Sequence, residues 1–451
     1  MSATISSGLS VAKEQPRAID TRSRLRELLS SNLEFHEQSS NHSTHDFHAF
    51  PAKFPPQLPQ VFIDRLTLKN EYVLDPMMGS GTTLVEASAM NRRAIGFDID
   101  PLAVLISTVK TTPLDAVAAL RRGQDVAASA ENRIANDRKT LKIEIEESFD
   151  CDTRGFIDYW FSEETQLELM GLLSEIRKVK RLELRRFLQL CFSAIIITKS
   201  GGVSLAWDLA HTRPHKLRQG QPKSHRPAIP DFLRRLKRNV SGLGSISLSH
   251  YGAQVELGSA EVVKLNDESI DLLFTSPPYA SNAIDYMRAS KFSLVWLGYA
   301  VNDLTVLRSK YIGGENVRDF QMEELPSRTS EVVARITAVN KKRGAALKRY
   351  YSEMRRVLTE TNRVLKPDRT AVFVVGSAVM AGIDSEAQNC LGEIGREVGL
   401  DFVNIGIRRL DRNRRMMPVT MQRQTQSQIE NRMHEEYIVG FYKPAKSYAQ
   451  Y

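Results

Sequence analysis

Residues 71–83 decide the fold, and they run Glu-Tyr-Val-Leu-Asp-Pro-Met-Met-Gly-Ser-Gly-Thr-Thr. The apolar residues that lead to Asp75 predict a short β-strand, and the apolar spacing over Thr82–Asn91 predicts a helix. The glycines between them mark a tight turn. A second apolar run, Arg93–Asp98, predicts another strand. Strand, glycine turn, helix and strand open a βαβ unit, so the sequence predicts a parallel sheet flanked by helices.

Strand and helix signals return in the second half of the chain. Predicted strands lie at Gln254–Gly258, Ile270–Thr275, Thr370–Val375, Phe402–Ile407 and Glu436–Tyr442, and predicted helices at Asp285–Leu297 and Arg343–Leu358. The fold class is therefore expected to be α/β, with a doubly wound, Rossmann-like sheet. Between the two α/β stretches, Leu114–Ile145 and Glu163–Ile197 show helical spacing without strands, which predicts an inserted, mostly helical region.

Other segments lack a regular pattern. Prolines interrupt residues 41–59, which are expected to form an ordered loop rather than a helix, and those of the basic run 213–238 are expected to keep its backbone open. Residues 300–338 and 408–432 are expected to be loops. Met1–Ser30 mixes small, polar and charged residues without an apolar segment, and is expected to be a loose arm rather than a signal peptide.

The composition narrows the class of protein. Among 451 residues, 62 Lys and Arg face 53 Asp and Glu, a formal charge of +9, which favours a polyanionic partner such as nucleic acid. The longest apolar run is too short to span a bilayer, so no membrane association is expected. The three cysteines, Cys151, Cys191 and Cys390, lack the spacing of a zinc site or disulfide framework. We expect reduced, buried thiols in a cytoplasmic protein without a metal.

The glycine turn admits several interpretations. A P-loop requires Gly-Lys-Ser/Thr, and the turn has no lysine; a dinucleotide fingerprint requires a third glycine, and Leu84 occupies that place. A plain β-to-α turn with solvated acids remains an alternative. A nucleoside with a cationic amino-acid tail fits better, because Asp75 could hold the tail and Asp98 the ribose hydroxyls. This is the layout expected for S-adenosylmethionine.

A second motif, Thr275-Ser-Pro-Pro-Tyr279, follows the predicted strand Ile270–Thr275. Prolines remove backbone N–H donors, so the Ser276 hydroxyl and the Pro277 carbonyl can accept hydrogen bonds from an amino group. Tyr279 offers an aromatic face to a flat base. The alternative is a stiff turn or a polyproline ligand.

Together, the two motifs resemble those of the DNA amino-methyltransferases, which transfer a methyl group from S-adenosylmethionine to N4 of cytosine or N6 of adenine. Asp75–Thr83 is similar to their cofactor motif, and Thr275–Tyr279 to their catalytic motif. Phe50–Pro56 resembles the segment that packs over the methionine end of the cofactor. Asp285–Arg288, and Lys291 with Trp296–Gly298, are similar to the continuation that follows the catalytic motif in some members.

The resemblance implies a set of site residues. Met77 stands where many members have an aromatic residue, and Ser259 stands where an acid usually holds the adenine amino group. The expected cofactor-binding residues are Lys53, Phe54, Asp75, Pro76, Gly79, Ser80, Gly81, Thr82, Asp98 and Ser259, and the expected catalytic residues are Ser276, Pro277, Pro278 and Tyr279.

The motif order, cofactor motif first, resembles members whose target-recognition region lies between the motifs. The expected organisation is an N-terminal arm, 1–40, a cofactor-binding half, 41–112, a helical and basic insert that is a candidate target-recognition region, 113–250, and a catalytic half, 251–445. The expected DNA-binding residues are Arg213, Lys216, Arg218, Arg234 and Arg235. The segments 300–338 and 408–423 are competing recognition sites.

The sequence therefore predicts a site-specific methyltransferase that uses S-adenosylmethionine and flips a base out of double-stranded DNA. Ser276 favours N4 of cytosine, because serine at this position is commoner in the cytosine-methylating members that the chain resembles. Three alternatives stay open: methylation of adenine N6, methylation of RNA, and a catalytically silent nucleic-acid-binding subunit. A restriction endonuclease that acts separately is a candidate partner.

Overall fold

The computed structural model describes residues 20–36, 38, 43–51, 53–198, 202–206, 225–244, 252–280, 285–314, 317, 320–376, 378–410 and 435–445. Its strands are β1 Tyr72–Asp75, β2 Arg93–Asp98, β3 Ala253–Leu257, β4 Ile270–Thr275, β5 Leu365–Gly376, β6 Val379–Met380, β7 Ile383–Asp384, β8 Asp401–Arg409 and β9 Glu435–Lys443. Strands β6 and β7 form a small hairpin, and the other seven form one sheet in the order β3-β2-β1-β4-β5-β9-β8.

Strands β1 to β5 of this sheet are parallel, and β9 runs antiparallel between β5 and β8. The order reverses between β1 and β4, because the chain builds outward from β1 to β3 and then returns to the other side. Such a sheet requires helical crossovers on its faces. The predicted doubly wound, Rossmann-like α/β fold is confirmed.

The helices are α1 Thr21–Leu29, α2 Gln57–Leu66, α3 Thr82–Ala89, α4 Pro101–Thr111, α5 Ala116–Asn136, α6 Arg138–Ser148, α7 Cys151–Trp160, α8 Glu163–Arg177, α9 Leu182–Ile196, α10 Ala228–Gly242, α11 Tyr286–Leu294, α12 Val301–Ser309, α13 Ser327–Val339, α14 Lys341–Val364 and α15 Ala387–Glu397. A short 3₁₀ helix spans Ser43–Asp46.

Successive strand residues point to opposite faces of the sheet, and the two faces carry separate apolar cores. Val73 of β1 packs with α1, α2 and α3 on one face, and Leu74 packs with α13, α14 and α15 on the other. Helices α5 to α10 share a third core that continues into α4 and α11. The insert is therefore packed against the cofactor-binding half through a common core.

Four local expectations are wrong. Thr21–Leu29 is not a loose arm but a helix whose Leu25 and Leu29 are buried against the sheet. Pro59 does not exclude a helix and Pro230 does not keep the backbone open, because both lie in the first turn of a helix, where a missing N–H breaks no hydrogen bond. Residues 300–338 contain α12 and α13 rather than one loop. Cys151 is exposed, whereas Cys191 and Cys390 are buried.

Two features are absent from the described residues. Over these ranges no helix combines the length and the apolar character needed to cross a membrane. In the same part of the chain, no three His, Cys, Asp or Glu side chains are grouped as metal ligands.

Candidate active site

A cavity opens where the strand order reverses, at the carboxyl ends of β1 and β4. Ligands of doubly wound sheets bind at this point, because the flanking loops leave it in opposite directions. The cavity measures about 860 Å³, including the part open to solvent. Its lining includes the predicted cofactor residues Lys53, Phe54, Asp75, Pro76, Gly79, Ser80, Thr82, Asp98 and Ser259, together with Ser276 and Pro278.

Three predicted residues do not line this cavity. Gly81 lies in the glycine turn, and Pro277 and Tyr279 follow Ser276 in the chain, but none of the three is among the residues that line the cavity. The structure thus brings the two sequence motifs to one cavity, although they are some 200 residues apart, as the hydrogen bond between Thr275 and Asp75 shows.

The glycine turn between β1 and α3 depends on left-handed backbone geometry. Gly79 has φ +48° and Gly81 has φ +72°, a region that residues with a side chain rarely adopt. A Cβ atom at Gly81 would also lie 2.6 Å from Ser107 Oγ. The Gly81 N–H donates to the Met78 carbonyl at 2.7 Å and closes the turn. These glycines allow the backbone to pass close beneath a ligand.

Buried polar groups support this turn from below. The Ser107 hydroxyl donates to the Gly79 carbonyl at 3.0 Å, and the Lys110 ammonium donates to the Ser80 carbonyl at 2.6 Å. Lys110 is 1% exposed, and burial holds its pKa well below the usual range. Burial also raises the pKa of Glu86, on α3, to about 7. This support could not be predicted from the sequence, because nothing local marks a lysine in α4 as a partner of the turn.

Asp98 links the second strand to the turn. Its carboxylate accepts the Gly79 N–H at 2.8 Å and the Asp100 N–H at 2.9 Å. Burial, and then the nearby Asp100 carboxylate, raises the pKa of Asp98 to about 7. Both acids line the cavity. The carboxylate is fixed by the backbone and stands at the position expected for binding ribose hydroxyls.

Asp75 is the last residue of β1, beside the end of β4. Its Oδ1 accepts the Thr275 hydroxyl at 2.7 Å and the Met77 N–H at 3.2 Å. Asp75 is 1% exposed, and burial raises its pKa to about 6 despite these hydrogen bonds. Thr275 is the last residue of β4, so Asp75 joins the cofactor motif to the catalytic motif.

The hydroxyl of Ser276 is held in one orientation. It donates to the Val374 carbonyl of β5 at 3.0 Å. Because its hydrogen is engaged there, the lone pairs of Ser276 Oγ are left to accept hydrogen bonds from another group. Ser276 also lines the cavity. The arrangement makes it an oriented acceptor.

Tyr279 is anchored by a buried ion pair. Its hydroxyl donates to Glu436 Oε1 at 3.0 Å, and Glu436 Oε2 accepts the Arg408 Nε–H at 3.0 Å. Glu436 and Arg408 face each other across the pair β8 and β9. Burial, and then the Glu436 carboxylate, holds the pKa of Tyr279 well above its usual value. The residue stays partly exposed, so its hydroxyl is fixed while part of its surface remains accessible.

Two aromatic rings form part of the cavity wall. Phe50 stacks on Tyr286, with ring centroids 5.8 Å apart and planes at 28°. A Cβ atom at Gly79 would lie 3.1 Å from the Phe50 ring. Both rings belong to segments that the family resemblance names, whereas the lining residues Asp100, Ala260, Lys310, Tyr311 and Ile312 were not predicted. Asp100 carried a detectable signal, since it is an acid two residues after the predicted strand Arg93–Asp98. The segment 310–312 carried none, because it reaches the cavity only through tertiary packing.

None of the predicted DNA-binding residues that the structure describes lines this cavity, and the others lie outside the described residues. Arg234 is exposed on α10 and pairs with Asp231 of the same helix. Arg235 is partly buried, and burial lowers its pKa. Residues 213, 216 and 218 lie outside the described residues, as do residues 411–434.

The cavity fits S-adenosylmethionine by the chemistry of its groups. Three carboxylates, Asp75, Asp98 and Asp100, line it, and burial is the first cause that raises the pKa of each. A positively charged ligand offsets the cost of ionising them. The stacked rings of Phe50 and Tyr286 add apolar surface for a nucleoside.

The proteins that this chain resembles are methyltransferases, the class of enzyme whose cofactor the cavity fits. The family model for N6 and N4 methyltransferases, described as DNA methylase, matches residues 12–108. The chain is 27% identical over 407 residues to the type II methyltransferase M.MvaI of Kocuria varians, a match that covers 85% of this chain and 87% of that protein. It is 24% identical over 421 residues to M.AvaI of Nostoc sp., covering 85% of this chain and 84% of that protein.

Among solved structures, a TehB-like SAM-dependent methyltransferase from Corynebacterium glutamicum aligns with a TM-score of 0.28 and 9% identity, over 85% of this chain and 86% of that one. A similarity at this level adds nothing to the strand order described above.

Proposed function

This chain is an S-adenosylmethionine-dependent DNA amino-methyltransferase of the restriction-modification type, and we propose that it methylates N4 of cytosine at a specific sequence in double-stranded DNA. The bound cofactor supplies a methyl group activated on a sulfonium. The observation that carries the proposal is the oriented acceptor at Ser276, which lines the same cavity as Asp75 and Asp98.

Ser276 acts on the target amine in this proposal. An exocyclic amino nitrogen is a weak nucleophile, because its lone pair is delocalised into the ring. Acceptance of its hydrogens by Ser276 Oγ and the Pro277 carbonyl favours the pyramidal nitrogen that attacks a methyl group. An acceptor that is already oriented needs no rearrangement as the transition state forms.

Tyr279 receives the base in this proposal. A stacked base cannot present its amine to the cofactor, so the base must leave the helix at a cost of a few kcal/mol. Stacking on the Tyr279 ring offsets part of that cost, by about 1 to 3 kcal/mol for an aromatic contact of this kind. The hydroxyl bond to Glu436 keeps the ring in place while the base enters.

The proposed choice of cytosine rests on the serine of the catalytic motif and on the resemblance of that motif to cytosine-methylating enzymes. The hydroxyl itself can serve the amine of either base. Methylation of adenine N6, methylation of RNA and the absence of activity are therefore outcomes that the test must separate.

DNA contacts and partners belong to the same proposal. We assign phosphate contacts to the exposed cations of the 113–250 insert, Arg234 among them, because lysines and arginines replace counterions of the duplex. The relatives M.MvaI and M.AvaI are named type II methyltransferases, and we assign to this chain a restriction endonuclease that acts separately. We place both in the cytoplasm, with the cellular DNA.

The test uses the purified chain with S-adenosylmethionine that carries a labelled methyl group. Wild type and Ser276→Ala are incubated with genomic DNA lacking methylation and with total RNA, and digested nucleosides are separated by mass spectrometry. We expect label in N4-methylcytosine of DNA. Label only in N6-methyladenine would refute the base, label only in RNA would refute the substrate, and no label with intact cofactor binding would indicate a silent subunit. Methylation-aware sequencing of expressing cells would then give the target sequence.

A further inference from the structure

A second cavity lies where α7, α11 and α12 meet, and we call it the α11 cavity. It measures about 580 Å³, including the part open to solvent. Phe156, Trp160 and Phe292 give it aromatic walls. Its charged lining residues are Asp285, Arg288, Lys291 and Arg308.

The charges of the α11 cavity are unbalanced. Arg308 Nη2 lies 2.6 Å from Asp285 Oδ2, and Arg288 Nε lies 3.9 Å from the same oxygen. One carboxylate therefore serves two guanidinium groups. With Lys291, the lining holds three positive charges and one negative charge.

Lys291 forms no close ion pair in the described part of the chain, although the Asp285 carboxylate, which already faces Arg288 and Arg308, raises its pKa against the effect of burial. Its ammonium lies 4.9 Å from the centroid of the Phe156 ring, and the side chain is half-buried. Burial, and then the Arg308 guanidinium, lowers the pKa of Lys291. A cation that is partly desolvated and surrounded by other cations gains from an anion in the same cavity. The Phe156 ring is uncharged and cannot neutralise the ammonium of Lys291.

The position of α11 connects this cavity to the proposed reaction. Tyr286, at the start of α11, lines the cofactor cavity, and the Ser290 hydroxyl donates to Asp100 there at 2.6 Å. Arg288 and Lys291, on the same helix, line the α11 cavity. The two cavities are thus separated by about one helix diameter, roughly 10 Å. A flipped base stays attached to its backbone, so the phosphates beside it must pass close to the rim of the active site.

We propose that the α11 cavity binds a backbone phosphate of the DNA strand that carries the target base. The inference rests on the proposed function, because it takes DNA as the substrate. Arg288, Lys291 and Arg308 hold the phosphate oxygens, and Lys291 exchanges its contact with the Phe156 ring for an ion pair.

The test measures the salt dependence of DNA binding. The probe is a fluorescent duplex that contains the sequence methylated by wild type in expressing cells, with S-adenosylhomocysteine present. Wild type is compared with Lys291→Gln, with the rescue variant Lys291→Arg and with the control Arg396→Gln. Arg396, on α15, is a matched control, because its guanidinium carbon also lies near an aromatic ring, 4.7 Å from the centroid of Phe402 on β8. Its side chain is exposed and lines neither cavity. Cofactor affinity, measured by calorimetry, verifies that each variant is folded.

We expect Lys291→Gln to reduce the slope of log affinity against log salt by about 0.9, the value for one lost phosphate contact. Lys291→Arg should keep the wild-type slope, and Arg396→Gln should leave it unchanged. An unchanged slope in Lys291→Gln overturns the proposal, provided that wild type binds and methylates the duplex. If wild type neither binds nor methylates DNA, the proposed function itself fails, and this inference fails with it.

A separate titration with inorganic phosphate, without DNA, identifies a site for the free anion. Calorimetric binding of inorganic phosphate that Lys291→Gln abolishes, together with a wild-type DNA slope in that variant, would assign the cavity to free phosphate and overturn the proposal. Loss of slope in Lys291→Gln supports the DNA phosphate.

Discussion

The proposed cofactor side of the active site, around Asp75 and Asp98, and its proposed target side, around Ser276 and Tyr279, meet at one sheet edge but are built differently. The cofactor side comes from one βαβ unit, in which Asp98 accepts the Gly79 N–H from 19 residues away. The target side depends on distant strands, since Ser276 bonds to a residue 98 positions along the chain and Tyr279 to one 157 positions along. The comparison indicates that a local motif specifies which ligand binds, whereas tertiary structure specifies how the reacting groups are oriented.

The two sides also differ in charge. On the cofactor side, burial raises the pKa of Asp75 to about 6 and that of Asp98 to about 7, and no arginine or lysine is ion-paired with either within the described residues. On the target side, Glu436 is paired with Arg408. Asp75 and Asp98 have no counter-ion among the described residues and can therefore bind a cationic ligand. Glu436 is already paired with Arg408 and can therefore hold the Tyr279 hydroxyl in place.

The sharpest test of this contrast is Asp75→Asn, which keeps the shape and removes the charge. A hydrogen bond to a charged group is worth about 1.5 to 3 kcal/mol, so the dissociation constant of S-adenosylmethionine should rise about 10- to 100-fold. Isothermal titration calorimetry measures it. Glu436→Gln is the matched control on the target side and should leave the constant unchanged. Equal effects of the two substitutions would remove the distinction between the sides.

Ser276→Ala tests the target side alone. Loss of the oriented acceptor should lower kcat about tenfold, because its hydrogen bond to the amine strengthens as the nitrogen becomes pyramidal. The dissociation constants for cofactor and DNA should change little. Single-turnover methylation at saturating cofactor and DNA measures the effect. A wild-type kcat would show that the hydroxyl has no part in the reaction.

Much of the cofactor side could be predicted from the sequence, because its parts are contiguous. Asp75, the glycine turn and Asp98 belong to one supersecondary unit, and each residue type has a direct physical reason at its position. Lys110 could not be found in this way. A lysine in a helical run is normally solvated, and only the packing of α4 under the turn places its ammonium against the Ser80 carbonyl.

The target side was predicted less completely. The residues of Thr275–Tyr279 could be named from their chemistry, but Glu436 and Arg408 look like ordinary strand-end charges in the sequence. Their role follows from the antiparallel position of β9 between β5 and β8, which no local pattern specifies. The helix at Thr21–Leu29 was missed for a related reason: its apolar residues are few, and the sheet face that covers them is distant in sequence.

A pH titration probes the unpaired acids of the cofactor side. The pKa values of Asp75 and Asp98 are higher in the folded protein than in the unfolded chain. Without bound cofactor, the folded protein therefore keeps protons on these carboxyl groups at pH values where the unfolded chain has released them. The contribution of these two carboxyl groups to the free energy of unfolding is fully present below their pKa in the unfolded chain, about 4. It is lost as the pH rises through their pKa values in the folded protein, about 6 and 7. A cationic cofactor favours the ionised carboxylates. Its affinity should therefore increase several-fold from about pH 5.5 to 7.5.

Calorimetry across this range measures the affinity, and Asp98→Asn is the control that should make the profile shallower, because only Asp75 then titrates beside the cofactor. The rise in Tm on adding saturating cofactor should also be larger at the upper end of the range, since tighter binding stabilises the folded state more. A profile that is flat in wild type would mean that neither acid titrates near the bound cation.

The smallest expected effect concerns the anchor of Tyr279. Glu436→Gln keeps an acceptor for the Tyr279 hydroxyl but removes the charge that holds Arg408. The ring should then move more freely, and the KM for DNA should rise about threefold with little change in kcat, because a contact of this kind is worth under about 1 kcal/mol. Glu435→Gln is the matched control, since Glu435 is the neighbouring residue on β9 and also accepts a tyrosine hydroxyl, that of Tyr437. If both variants raised KM equally, the change would reflect the strand as a whole rather than the position of Tyr279.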